Sequence, residues 1–175
     1  MMFSFETTYN QKAFTAMSRA LRKTVRKRKN RFNRLLFGIC ALLIFLLTVG
    51  WISDGTNTAS FNMSVTWIAF LIMLLVVIFE DSINGYIGKK RMLSKMTCAK
   101  SVFNDGVYCS ETEIGKTEFL YENIGIAAET KEYFVFIFDK NHAQVYDKSK
   151  ISGGTADDFR RFITEKTGKT FLTIN

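Results

Sequence analysis

Polar and apolar positions follow three different rhythms along this chain. At the start, FSFETTY (residues 3–9) alternates, with Phe3, Phe5, Thr7 and Tyr9 on one side and Ser4, Glu6 and Thr8 on the other. That predicts a short strand with one buried face. From about Gln11 the spacing turns helical: Phe14, Met17, Leu21, Val25, Phe32 and Leu35 recur at intervals of three, four or seven. No Pro or Gly falls between residues 11 and 37, so one continuous helix is expected there. Two uninterrupted apolar runs then follow, LLFGICALLIFLLTVGWI (35–52) and FNMSVTWIAFLIMLLVVIF (61–79), neither with a charged residue. Beyond them the helical pattern continues through Ile83, Ile87, Leu93 and Met96. Gly85 and Gly88 interrupt it, each costing about 1 kcal/mol against Ala in a helix, unless they serve to let two helices approach closely.

Roughly 20 apolar residues at about 1.5 Å each carry a helix across about 30 Å of hydrocarbon. The first run holds twelve Leu, Ile, Val or Phe residues, which favour insertion by on the order of 5 kcal/mol. Both runs are therefore read as transmembrane spans, at about 35–52 and 61–79. A chain of 175 residues lacks the protein to bury two such helices all round. The first run is expected to be an anchor rather than a cleaved leader, because 34 residues precede it and no small-residue cleavage pattern follows. The two helices are expected to form an antiparallel hairpin that continues below the bilayer as a stalk.

After residue 97 the rhythm is that of strands, expected at 98–103, 107–113, 116–120, 124–130, 132–138 and 143–147. Turn signals stand at Asn104-Asp105-Gly106, Glu122-Asn123 and Lys140-Asn141. Asp105-Gly106 is a favoured two-residue hairpin turn, and its register sets Cys109 opposite Val102. The segment SGGTADDFRRFITEKTGK then predicts a helix over about 155–167, opened by a Thr155/Asp158 capping pair and stopped at Gly168. In KEYFVFIF, Phe134, Phe136 and Phe138 alternate with Tyr133, Val135 and Ile137. This strand is apolar on both faces, so the helix, the N-terminal strand or a partner must cover it. The fold class expected is an α+β membrane protein: a transmembrane helical hairpin plus a small cytoplasmic bent β-barrel or sheet capped by a C-terminal helix. Its parts are an N-terminal strand (1–10) pairing with the cytoplasmic domain, the helical hairpin (11–97) and the β domain (98–175).

Charge adds orientation. Residues 1–34 hold ten Lys/Arg against one acid, Glu6, for +9; residues 35–88 carry −3; residues 89–175 carry +2, within a total of +8. Arg22, Lys23, Arg26, Lys27, Arg28, Lys29, Arg31 and Arg34 crowd the approach to the first span, and Lys89, Lys90, Arg91, Lys95 and Lys100 follow the second. The connection SDGTNTAS (53–60) has no Lys or Arg. Retention of basic residues on the inner side puts both termini in the cytoplasm of a multi-pass protein of the cell membrane. The eight-residue cluster reads first as a topology signal and anchor to anionic lipid headgroups, each charge near the surface gaining about 1 kcal/mol. An acidic protein partner is a second reading, and nucleic acid is not expected beside like-charged lipid.

Candidate chemistry is thin. His142, the only histidine, lies in a hairpin turn and reads as exposed. Cys40, Cys98 and Cys109 have no metal-type spacing, and a cytoplasmic location keeps them reduced. The acids at 111, 113, 118, 122, 129 and 132 alternate with lysines and read as a solvated strand face. Gly153-Gly154 precedes a helix as a phosphate loop would, but no Lys-Ser/Thr follows and two acids open the helix. No catalytic, cofactor-binding or metal residue is assigned, and no enzyme or cofactor is expected. Apart from Thr48, Asn62, Ser64 and Thr66 the spans lack the polar groups that mark a transport path.

YENIGIAAETKEYFVFIF, the later Lys148 and ADDFRRFI together resemble the C-terminal domain of the YcxB-like family, over about residues 98–168. The resemblance implies a bacterial two-span membrane protein with a pleckstrin-homology-like (PH-like) cytoplasmic domain, and it implies no activity. Two functions are weighed. One is a membrane-tethered binding or regulatory module whose cytoplasmic domain contacts a protein or lipid headgroups. The other is a structural subunit of a larger transport or envelope complex, in which the hairpin packs on other helices or on a second copy. If the two-faced strand is covered from within, the hairpin becomes the better interface.

Overall fold

The structure is a computed structural model that describes residues 2–54, 57–92 and 97–174, without the side chains of 51–62. In chain order the elements are β1 (Phe3–Thr8), α1 (Gln11–Lys23), α2 (Lys27–Asp54), α3 (Asn57–Ile78), α4 (Glu80–Arg91), β2 (Cys98–Phe103), β3 (Val107–Thr112), β4 (Gly115–Leu120), β5 (Ile126–Glu129), β6 (Tyr133–Ile137), β7 (Ala143–Asp147), β8 (Ile151–Ser152), α5 (Ala156–Thr167) and β9 (Leu172–Thr173). They form two compact units, Met1–Arg26 with Asp81–Asn175, and Lys27–Glu80.

The first unit is α+β. One sheet runs β4-β3-β2-β1-β8 and the other β7-β6-β5-β9. β1 pairs antiparallel with β2 from Phe3↔Phe103 to Thr8↔Cys98, so the alternation of FSFETT buries Phe3, Phe5 and Thr7. The Asp105-Gly106 hairpin sets Val102 opposite Cys109. No closed barrel is found among the described residues. β4 approaches β6 through stacked rings, Phe119 and Phe138, 5.6 Å apart, and β7 meets β1 where the Asp147 N–H donates to Thr7 Oγ1 at 3.2 Å. Side chains bridge both seams where a barrel would have continuous ladders.

Phe3, Phe5, Phe103, Tyr108, Phe134, Phe136 and Phe159 form an aromatic core between the sheets. α5 enters it with Phe159, whose ring centroid is 4.7 Å from Phe5 and 5.0 Å from Phe103 and Phe134. A reciprocal Thr155/Asp158 capping box starts α5, and Gly168 ends it in the left-handed region at φ 66°. The opposite face of β6 presents Tyr133, Val135 and Ile137 to Ala13, Ala16, Ala20 and Leu21 of α1. The strand with two apolar faces is thus covered on both from within the chain. α1 is accordingly a layer on the sheet, and the stalk expected from its periodicity gives way to this packing.

Nor does one helix run from residue 11 to 37. α1 ends at Lys23, and α2 begins at Lys27. Thr24 Oγ1 donates to the Ala20 carbonyl at 2.6 Å and the Arg26 N–H reaches back to the Leu21 carbonyl at 2.9 Å, widening the last turn. Arg26 then donates from Nε to the Lys140 carbonyl at 2.9 Å. The break falls at a β-branched residue whose hydroxyl bonds back to the preceding turn, with neither Gly nor Pro to mark it.

The second unit is α2 with α3, in contact through stacked Phe37 and Phe70 rings 5.8 Å apart. Lys27–Gly50 is long and apolar enough to cross a membrane, and only 6% of its apolar window is buried. α3 runs 22 residues from Asn57 to Ile78; its side chains are described from Met63, and the apolar stretch Met63–Ile78 is long and apolar enough by the same measure together with α4. Both helices run into the connection expected at 53–60, leaving Gly55 and Thr56, which lie outside the described residues, as do Leu93, Lys95 and Met96.

Candidate functional site

The eight-residue basic cluster is divided between the units. Arg22 and Lys23 occupy the last turn of α1 and Arg26 the turn after it, while Lys27, Arg28, Lys29, Arg31 and Arg34 are exposed on α2. Arg22 is committed inside its own unit. Its Nε and Nη2 each donate to a carboxylate oxygen of Asp81 on α4 at 2.6 Å. This two-pronged fit is the strongest geometry available to an Arg–carboxylate pair, and the side chains are only 17% and 12% exposed. Arg19 Nε adds a longer contact at 3.6 Å.

Glycine makes the lock possible. A Cβ at Gly85 would lie 2.8 Å from the Thr15 nitrogen and 2.9 Å from its Cα, and one at Gly88 would lie 3.0 Å from Phe14 Cδ1. The helix contact therefore forms on the Asp81–Gly85–Gly88 face of α4. Ile83 and Ile87, which the periodicity puts on the packed face, are instead 38% and 39% exposed. Small residues allow a backbone approach that isoleucines would block.

A second ionic centre lies on the α5 side of β5. Glu129 Oε2 accepts from Lys148 Nζ at 2.6 Å and from Arg160 Nε and Nη2 at 3.0 and 2.9 Å. Lys148 also donates to the Thr130 carbonyl at 2.7 Å, and both cations sit over the Phe134 ring. Burial pushes the Glu129 carboxyl up, but the hydrogen bonds from Arg160 and Lys148 outweigh it and hold the group below the usual range. Glu129 is thus no part of a solvated strand face. Its side chain is 12% exposed.

Other candidates have structural duties. Asp139 Oδ1 accepts from the Asn141 and His142 N–H groups at 2.6 and 2.9 Å, and its Oδ2 lies 2.7 Å from His142 Nδ1. The Asn141 backbone bond and the His142 contacts hold this exposed carboxyl at about 2. Asp158 fills the N-terminus of α5 in the capping box, where hydrogen bonds from Thr155 hold it at about 2. At Gly153, with φ 96°, a Cβ would strike the Met2 carbonyl, so the glycine pair serves the fold. Cys40, Cys98 and Cys109 are free thiols. Among the described residues, no three His, Cys, Asp or Glu side chains group as metal ligands would.

One concave surface has a distinct chemistry. A cleft of about 470 Å³ opens along α1, lined among others by Lys12, Thr15, Arg19, Ser82, Lys131 and Tyr133. Lys12, Thr15 and Arg19 share a helix face by their spacing. Three cations face one acid, Glu132, on this rim, a balance that suits an anionic group held by charge and hydroxyl donors.

The ion pairs of Asp81 and Glu129 escaped the sequence reading, whereas the close helix approach offered there for Gly85 and Gly88 is the one the structure makes. A signal existed for Asp81: it is one of two acids flanking the second apolar run on the side where cations dominate. Glu129 ends an otherwise apolar IGIAAE stretch, an odd place for a solvated charge.

Comparison with protein-family models, with curated proteins and with solved structures returns no match for this chain.

Proposed function

We propose that this chain is a non-enzymatic, membrane-tethered binding or regulatory module. Its two spans cross the cell membrane with both termini in the cytoplasm, and its α+β unit is a PH-like domain of the YcxB-like type. The exposed apolar surface of α2 and the absence of Lys and Arg from residues 53–60 support the membrane part. Two facing sheets with a C-terminal helix support the domain part. One observation carries the regulatory reading. α1, which leads in sequence into α2, and α4, which follows α3, are built into the α+β unit and joined there by Arg22 and Asp81. A ligand in the basic cleft would touch both helices, through Lys12, Thr15 and Arg19 on one and Ser82 on the other.

A second reading, a structural subunit of a larger transport or envelope complex, draws on a different observation. Both faces of β6 are filled from within, so protein contacts through an apolar sheet face are closed off and the hairpin is the better interface. Photo-crosslinkers in the full chain separate the two in native membranes. Placed at Lys12 and Lys131 they capture a ligand or partner if the first reading holds. Capture only from Leu46 and Ile72, with none from the cleft, overturns it in favour of the second. A fragment of residues 98–175 cannot serve, because it lacks β1 and α1.

A further inference from the structure

At 3.6 residues per turn, the face of α4 opposite Asp81, Gly85 and Gly88 consists of Ile83, Tyr86, Ile87 and Lys90. The three large apolar side chains are 38%, 56% and 39% exposed, and Lys90 is exposed beside them. A helix packed on one side and facing water on the other carries polar residues on its outer face. Here that face carries Ile83, Tyr86 and Ile87 with Lys90 as its one charge, and the last turn adds Lys89 and Arg91, also exposed. We infer that this outer face of α4 lies in the headgroup–acyl boundary of the bilayer, with Ile83, Tyr86 and Ile87 in the lipid and Lys89, Lys90 and Arg91 on anionic phosphates.

The composition suits that place. Tyrosine collects at membrane interfaces, where its ring meets acyl chains and its hydroxyl meets water. Lysine and arginine bury their stems and return their charge to the headgroups. These side chains, rather than a strong amphipathic pattern along the whole helix, are what hold α4 at the interface. Continuity of sequence supplies the membrane: α4 begins at Glu80, directly after the apolar run that ends at Phe79. The opposite side of α4, locked to α1 by Asp81 and Gly85, ties the α+β unit to that surface. The inference rests on the reading of α2 and α3 as spans.

Native tryptophans make a test that separates the two. In the full chain reconstituted into phosphatidylcholine/phosphatidylglycerol vesicles, a W51F variant leaves Trp67 on α3 as sole reporter, and a W51F/W67F/Y86W variant reports from α4. Lipids brominated near the glycerol end or near the methyl end of the acyl chain serve as quenchers. The inference predicts blue-shifted emission at position 86, quenched more by the shallow than by the deep bromines, at a depth of about 5–10 Å below the headgroups. Position 120, Leu120 on β4 replaced by Trp in the same background, stays water-exposed and unquenched. Emission from 86 that is red-shifted and open to iodide overturns the inference. So does blue-shifted emission that no lipid quenches, since a protein then covers the face. Quenching at 120 equal to that at 86 overturns it too, because α4 then has no special depth. If Trp67 itself is not quenched, the span reading has failed; if Trp67 is quenched and position 86 is not, only the placement of α4 has.

Discussion

The two faces of β6 are filled in opposite ways. On one, Phe134 and Phe136 meet the rings of Phe5, Phe103 and Phe159; on the other, Tyr133, Val135 and Ile137 meet the alanines of α1. Large rings hold two sheets and a helix around a shared core, and each ring buries 150–250 Å². Alanines let a helix lie close on a sheet and gain little from their own area. Each side also carries an ion pair at its border, Glu129 with Lys148 and Arg160 on the first and Asp81 with Arg22 on the second. The aromatic side is held by apolar burial and the alanine side by close approach and charge. The two should therefore fail differently.

The largest effect is expected from Phe159→Ala on the aromatic side. Phe159 on α5 is fully buried against the rings of Phe3, Phe5, Phe103, Phe134, Phe136 and Phe171, and truncation should cost about 4 kcal/mol. Thermal unfolding of the full chain in detergent, followed by circular dichroism, would measure it. A loss below about 1 kcal/mol would mean that the ring cluster does not hold the sheets together.

On the alanine side, Asp81→Ala removes the two-pronged carboxylate from a mostly buried Arg22 and should cost about 3 kcal/mol. The same change combined with Arg22→Met should recover most of that loss, because no buried charge remains. Equal instability of the single and double variants would show that packing, not charge, sets the contact. Gly85→Ala tests the approach itself: a methyl group pressed on the Thr15 backbone should destabilise by about 2 kcal/mol, although alanine is the better helix former. Gly38→Ala on α2, where no atom lies within 4 Å of the new Cβ, should change stability by no more than about 1 kcal/mol.

The same contrast explains what could be read without a structure. Local rules carry β1, the Asp105-Gly106 hairpin and its Val102–Cys109 pairing, the Thr155/Asp158 cap and Gly168, because each is decided within about six residues. The break at Thr24 was hidden because no Gly or Pro marks it. On α4, apolar periodicity pointed to Ile83 and Ile87 because it assumes that large side chains pack, whereas the alternative read from Gly85 and Gly88, a close helix approach, is the one that forms. Glu129 finds its partners 19 and 31 residues away, and β8 and β9, two residues each, have no period to detect. The basic cleft draws Lys12 and Lys131 from opposite ends of the chain, so no run of sequence could announce it.

The ion pair on the aromatic side is expected to give a smaller effect than the one on the alanine side, and one that depends on pH. Glu129→Gln keeps an acceptor for Lys148 or Arg160 but loses the charge, and should cost about 1.5 kcal/mol at neutral pH. Because Arg160 and Lys148 depress the carboxyl in the folded state, the unfolded chain binds a proton there more readily than the folded one. Its contribution is therefore fully present above the ordinary glutamate pKa of about 4.3 and is lost as pH falls through the lower folded value. Unfolding midpoints of the native chain and of Glu129→Gln, measured from pH 7 downward, should run parallel until about pH 5 and then converge. Curves that stay parallel to the lowest pH would mean that Lys148 and Arg160 do not favour the charged carboxylate in the folded unit, and that the aromatic side stands on its rings alone.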